Sequence, residues 1–149
     1  MNAPYWDTSC ILALYVPETL SRQIAALASK EKQALTSSAI LEHEMTFALH
    51  SKEAKGEIPP DSAARVLAKF QSDLGKGCFL LAPLGQDIKI RAAEAARATL
   101  RNNPPLFLRA LDGIHIATAL QLQSAELITT DKRMADAARV LDIRVHEFA

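Results

Sequence analysis

Short apolar runs alternate along this chain with longer stretches of helical period. Residues 3–7, APYWD, are a short apolar run ending on an acid and predict a buried strand. In DTSCILALYVPE, Asp7, Thr8 or Ser9 can cap a helix that is apolar all round in its first turns, and Pro17 punctuates it. Ser21 to Lys30 carries Ile24, Leu27 and Ala28 at helical spacing, and ALTSSA reads as a second strand and turn. AILEHEMTFALHSKEAKGE predicts a strong helix with Gly56 as its stop. IPPDSAARVLAKFQSDLGKG opens another at Pro60 and Asp61 and closes it at Gly75 and Gly77. CFLLAPLG is a third strand, and the Ala-rich QDIKIRAAEAARATLRNN a helix with a basic outer face that stops before Pro104 and Pro105. DGIHIATALQLQSA is apolar on more than one side, so that helix is expected to be buried. ELITTD is a β-branched strand, KRMADAARVL a short helix, and DIRVHEF a closing strand.

Strands alternate with helices, and no hairpin dipeptide joins two strands. That order predicts a mostly parallel sheet covered by helices, with right-handed crossovers. No repeat, low-complexity run or linker divides the chain, so residues 1–149 are expected to form one domain. At 49% hydrophobic and 23% charged, the composition is that of an ordinary globular protein, not a disordered one. The longest apolar runs are too short to span a bilayer, and no basic-then-apolar leader opens the chain. A cytoplasmic protein without a membrane segment is the expectation. Cys10 and Cys78 lack CxxC spacing and are expected as two buried, reduced thiols.

Seventeen basic and seventeen acidic residues give a formal net charge of zero, which argues against indiscriminate nucleic-acid binding through a strongly basic surface. The charge is uneven, however: Lys89, Arg91, Arg97, Arg101 and Arg109 stand against Glu94 alone. Ligands of open parallel sheets bind beyond the carboxyl ends of the strands. Asp7 and Asp131 stand where two such strands end. Each acid has a plainer reading. Asp7 could be only a helix cap, Asp112 could cap IHIATAL, and Asp131 could be a turn residue. Of Glu42 and Glu44, the second lies nearer the apolar surface of its helix and is the better inward-facing acid, with Glu42 expected on the exposed side. Gathered at one edge, such acids would repel one another unless a cation sat among them. Oxygen-only ligands favour a hard ion, Mg²⁺ or Mn²⁺. Zinc spacing, GxGxxG, GxxxxGK[ST] and GxSxG are all absent. His115, inside an apolar helix, reads as structural or as a support for the acids.

The motifs resemble those of PIN domains. YWDTSCILALYVPE is similar to their opening motif, and SSAILEHEMTFAL to the second, with Glu44 best in the acidic slot and the choice against Glu42 open. RALDGIHIATAL closely resembles the third, where Gly113 replaces the usual small Ala. ELITTDKRMADAARVLDIRV resembles the fourth. Nearly the whole chain is covered, and its size is similar to the VapC toxins of type II toxin–antitoxin pairs.

The resemblance implies a three-layer α/β/α fold and a Mg²⁺- or Mn²⁺-dependent endoribonuclease. Asp7, Glu44 and Asp112 would be the principal metal-binding and catalytic acids, and Asp131 would complete the site. Ser9 and Thr129 would support them by hydrogen bonds. It further implies an RNA substrate, a homodimer, and a cognate antitoxin whose C-terminal segment blocks the acidic pocket. The alternative is a catalytically weak PIN-like binding or scaffold module. A receiver-type or HAD-like phosphotransfer site would need a second acid near Asp7, and YWDTS has one.

Overall fold

The computed structural model describes residues 2–149. In chain order the elements are β1 (Tyr5–Trp6), α1 (Thr8–Leu12), α2 (Ser21–Ser29), β2 (Leu35–Ser38), α3 (Leu41–Ala54), α4 (Ser62–Gly75), β3 (Phe79–Ala82), α5 (Gln86–Leu100), α6 (Ala110–Gln121), β4 (Leu127–Ile128) and α7 (Lys132–Val140). The strands form one sheet in the order β3-β2-β1-β4, and every pairing is parallel.

Side chains on a strand point alternately to the two faces of the sheet, and both central pairs use that rule to build two cores. Trp6 and Ile128 face one way and join Ile11, Ile24, Met45 and Phe70 from α1 to α4. Tyr5 and Leu127 face the other way and join Ala95, Ile116 and Met134 from α5 to α7. The sheet is therefore the middle of three layers, the α/β/α arrangement that the alternating pattern predicts. Because β1 and β4 are buried on both sides, they read as apolar runs instead of alternating ones. Among the described residues no helix is long and apolar enough to cross a membrane.

Several sequence expectations are corrected. DIRVHEF is not a full strand: Val145 makes an isolated parallel bridge to Leu127, with Leu127 N donating to Arg144 O and His146 N to Leu127 O. Ile143 joins the core while Phe148 packs on the opposite one, so alternation there reflects a chain end threading between layers. The first helix stops at Leu12, well before Pro17. Asp61 takes the position before α4 with a left-handed φ of 65° and no side-chain cap; Glu53 accepts from Ala63 N in its place. Cys10 is buried, its thiol pushed up to about 12 by burial and the nearby Asp7 charge, but Cys78 is exposed.

Candidate active site

Every one of the four predicted acids reaches one cleft of about 570 Å³ beyond the carboxyl ends of the strands. Asp7 follows β1, Asp131 follows β4, and Glu44 and Asp112 stand in the first turns of α3 and α6. Thr8, Ser9, His43, Arg109 and an apolar wall of Leu12, Phe47, Ala48 and Leu111 complete the lining. Glu42 is half-buried instead of exposed and does not line the cleft, so the geometry selects Glu44.

The plain readings of the acids sort differently from expectation. Asp7 has the backbone position of a helix cap but makes no cap hydrogen bond. Its Oδ2 instead accepts from Thr129 Oγ1 at 2.7 Å and from Ser9 Oγ at 2.9 Å. Asp112 is not a cap, because α6 begins at Ala110 and places it inside the first turn. Asp131 is the true cap: Oδ1 accepts from Arg133 N and Met134 N, while Oδ2 faces the cleft. One carboxylate thus starts α7 and lines the site at once. Thr129 Oγ1 also accepts from Asp131 N at 3.0 Å, so a single hydroxyl ties two of the acids together.

Two basic side chains stand among these acids, the imidazole of His115 and the permanently charged guanidinium of Arg109. His115 is 0% exposed, with Nδ1 2.7 Å from the Tyr5 hydroxyl and Nε2 3.6 Å from Asp7 Oδ1. Facing carboxylates, Nε2 donates to Glu44 Oε1, which also accepts from Thr8 Oγ1 at 2.6 Å. Burial pushes His115 down, but the Glu44 hydrogen bond and the charges of Asp7, Glu44 and Asp112 outweigh it and raise its pKa. Burial pushes Glu44 up, and the His115 and Thr8 hydrogen bonds with the His115 charge bring it below the ordinary range. Arg109 is the second of the two. Its Nε donates to Asp112 Oδ2 at 2.9 Å and its Nη2 to Asp131 Oδ2 at 3.1 Å. Burial, with the Asp131 and Asp7 charges, still leaves Asp112 raised despite that arginine.

Thr8 and the bridging of Asp112 and Asp131 by Arg109 were missed from sequence. Thr8 adjoins Asp7, and Arg109 precedes Asp112 by three residues, a spacing at which helical side chains meet. Among the described residues no three of His, Cys, Asp and Glu are arranged to hold a metal as they stand. The donor chemistry fits a hard divalent ion, since four carboxylates line one cleft. Their present arrangement is that of acids turned onto Arg109 and His115.

The family model of the PIN domain matches residues 5–140. The chain belongs to the PIN domain family. No curated protein matches it at a significant level. Solved structures share this PIN fold at low identity. FitAcB from Neisseria gonorrhoeae is 20% identical with a TM-score of 0.67, over 97% of this chain and 96% of that one. VapC20 from Mycobacterium tuberculosis, a sarcin–ricin loop cleaving toxin, is 12% identical with a TM-score of 0.68, over 91% and 95%. VapBC2 from Rickettsia felis, bound to a DNA fragment from their promoter, is 13% identical with a TM-score of 0.64, over 97% of each chain.

Proposed function

We propose that this PIN domain is a divalent-metal-dependent endoribonuclease and the toxin of a toxin–antitoxin pair. The observation that carries the reading is the convergence of Asp7, Glu44, Asp112 and Asp131 on one cleft at the strand ends. Asp7, Glu44 and Asp112 would hold Mg²⁺ or Mn²⁺, and Asp131 would complete the site directly or through water. When bound, the ion supplies positive charge against the phosphate and makes a water more acidic.

The chain's own part is to position and to move protons. Thr129 and Ser9 fix Asp7 through Oδ2, so Oδ1 would be the oxygen free to ligate. Thr8 and His115 both engage Glu44 Oε1, so Oε2 is the atom that can ligate or accept a proton from the attacking water. The lowered Glu44 pKa keeps it ionised for either role. Lys89, Arg91, Lys132 and Arg133 are exposed and can receive the RNA backbone. Sequence preference would come from RNA shape or unpaired bases, since an acidic core reads neither.

A cognate antitoxin that covers the cleft, and a homodimer, complete the proposal. Similar solved folds that are toxin–antitoxin assemblies, such as a complex from Klebsiella pneumoniae, support the antitoxin partner. Purified protein should cut RNA with Mg²⁺ or Mn²⁺ and stop in EDTA, and Asp112→Asn should lower the rate by about a hundredfold or more. Cleavage that persists in EDTA would overturn the metal mechanism. Binding of RNA without cleavage in either metal would leave the weakly active binding module in its place.

A further inference from the structure

Arg109 reaches the cleft from the position just before α6. Its side chain is 60% exposed, yet its guanidinium lands between two acids that are 13% and 27% exposed. Two different nitrogens bond two different carboxylates, so the fork geometry of arginine is used to bridge them. The oxygens it occupies are Asp112 Oδ2 and Asp131 Oδ2. Asp131 Oδ1 is already held by two α7 amides, which leaves Oδ2 as the only oxygen of that side chain without a backbone partner. A cation that is to take Asp131 must therefore take the atom Arg109 holds.

Resting on the proposed metal reading, we infer that Arg109 is a built-in competitor of the divalent ion at Asp112 and Asp131, and must release Asp131 for that carboxylate to ligate directly. It acts as a positioning residue, holding two like charges at a fixed separation until the exchange. Its exposure allows that exchange, because the freed guanidinium can return to water without repacking either core. The arrangement also sets metal affinity. Direct ligation by Asp131 includes the loss of its charge-assisted hydrogen bond to Arg109, so removing the arginine should tighten binding.

Calorimetric titration of Mn²⁺ into the full chain tests this, using wild type, Arg109→Gln and Arg109→Lys, with Asp112→Asn as a control. Exposed ion pairs are each worth about 0.2–1 kcal/mol, so Arg109→Gln should bind Mn²⁺ roughly three- to tenfold more tightly. Arg109→Lys keeps the charge but cannot bridge both acids, and should also bind more tightly than wild type. In a parallel Mg²⁺ titration followed by NMR, the Arg109 Nε–H resonance, assigned by its loss in Arg109→Lys, should move as its Asp112 partner is taken.

If Arg109→Lys matches wild type while Arg109→Gln tightens, only the distant field of the charge matters and the competition is overturned. Equal or weaker binding in both variants, or an Nε–H signal unmoved at saturating Mg²⁺, overturns it as well. Failure of the wild type and of both variants to bind Mn²⁺ would instead sink the metal reading itself. Tighter binding by both arginine variants supports the competition, and loss of all binding in Asp112→Asn shows only that the titrated ion is the one in the cleft.

Discussion

The hydroxyl of Thr129 shows how much of the cleft depends on single uncharged atoms. It donates to Asp7 and accepts from the Asp131 amide, and the residue is buried. Thr129→Val keeps the shape and removes both bonds, leaving the Asp131 amide without its partner and Asp7 Oδ2 with Ser9 alone. A stability loss of about 1–3 kcal/mol in urea denaturation is expected. Cleavage should fall roughly ten- to a hundredfold, as when a support of a ligating side chain is lost. Thr129→Ser keeps the hydroxyl and should retain both properties, so equal damage from the two changes would refute this account. Thr129 was legible in sequence only through the resemblance of ELITTDKRMADAARVLDIRV to the fourth PIN motif. His115 was legible only as a residue. Its bond to Glu44, 71 positions away, depends on α3 and α6 meeting across the sheet, which no local pattern encodes.

At the scale of elements, two helix starts separate stability from chemistry. Asp131→Asn retains an N-cap oxygen for α7 while removing the charge from the cleft. It should change unfolding free energy by no more than about 0.5 kcal/mol and still cost most of the cleavage rate. Asp131→Ala should lose cleavage and about 1 kcal/mol of stability together. A destabilised Asp131→Asn would mean that its charge, not its cap, matters to the fold. In α6, Gly113 has ordinary helical φ, and an added Cβ would meet Ala92 and Leu108 at 3.7 Å, a comfortable contact. Gly113→Ala should therefore stabilise the protein by about 0.5–1 kcal/mol, read as a raised thermal midpoint. A lowered midpoint would show that α5 and α6 pack more tightly than those distances allow. Helices were the best-read part of the chain, since their apolar periods span many residues. The start of α6 was not: Asp112 is as good a cap as any by type, and the true start lies upstream at Ala110, just after Leu108 packs on the core. The two-residue strands β1 and β4 were found by their apolar character, but their limits and the loss of the closing strand are set by pairing across the sheet.

For the molecule as a whole, metal and fold are linked if the proposed site is right. A ligand that binds only the folded state stabilises it by mass action, about 2.7 kcal/mol at a hundred times its Kd. Mn²⁺ at that excess should raise the thermal midpoint of wild type, and Asp7→Asn should abolish the shift. An undiminished shift in Asp7→Asn would place the ion elsewhere. The three layers were readable from the order of elements, because parallel strands joined by helices leave few arrangements open. Which strand lies at an edge was not, and it bears on when activity can arise. The order β3-β2-β1-β4 leaves β1 without its outer neighbour until the last strand is made. Asp7 gains its amide partner, Ile128 O, and its Thr129 hydroxyl only then. During synthesis the first acid to leave the ribosome thus waits for nearly the whole chain, and a fragment ending before residue 127 lacks the partners that hold Asp7 in the proposed site.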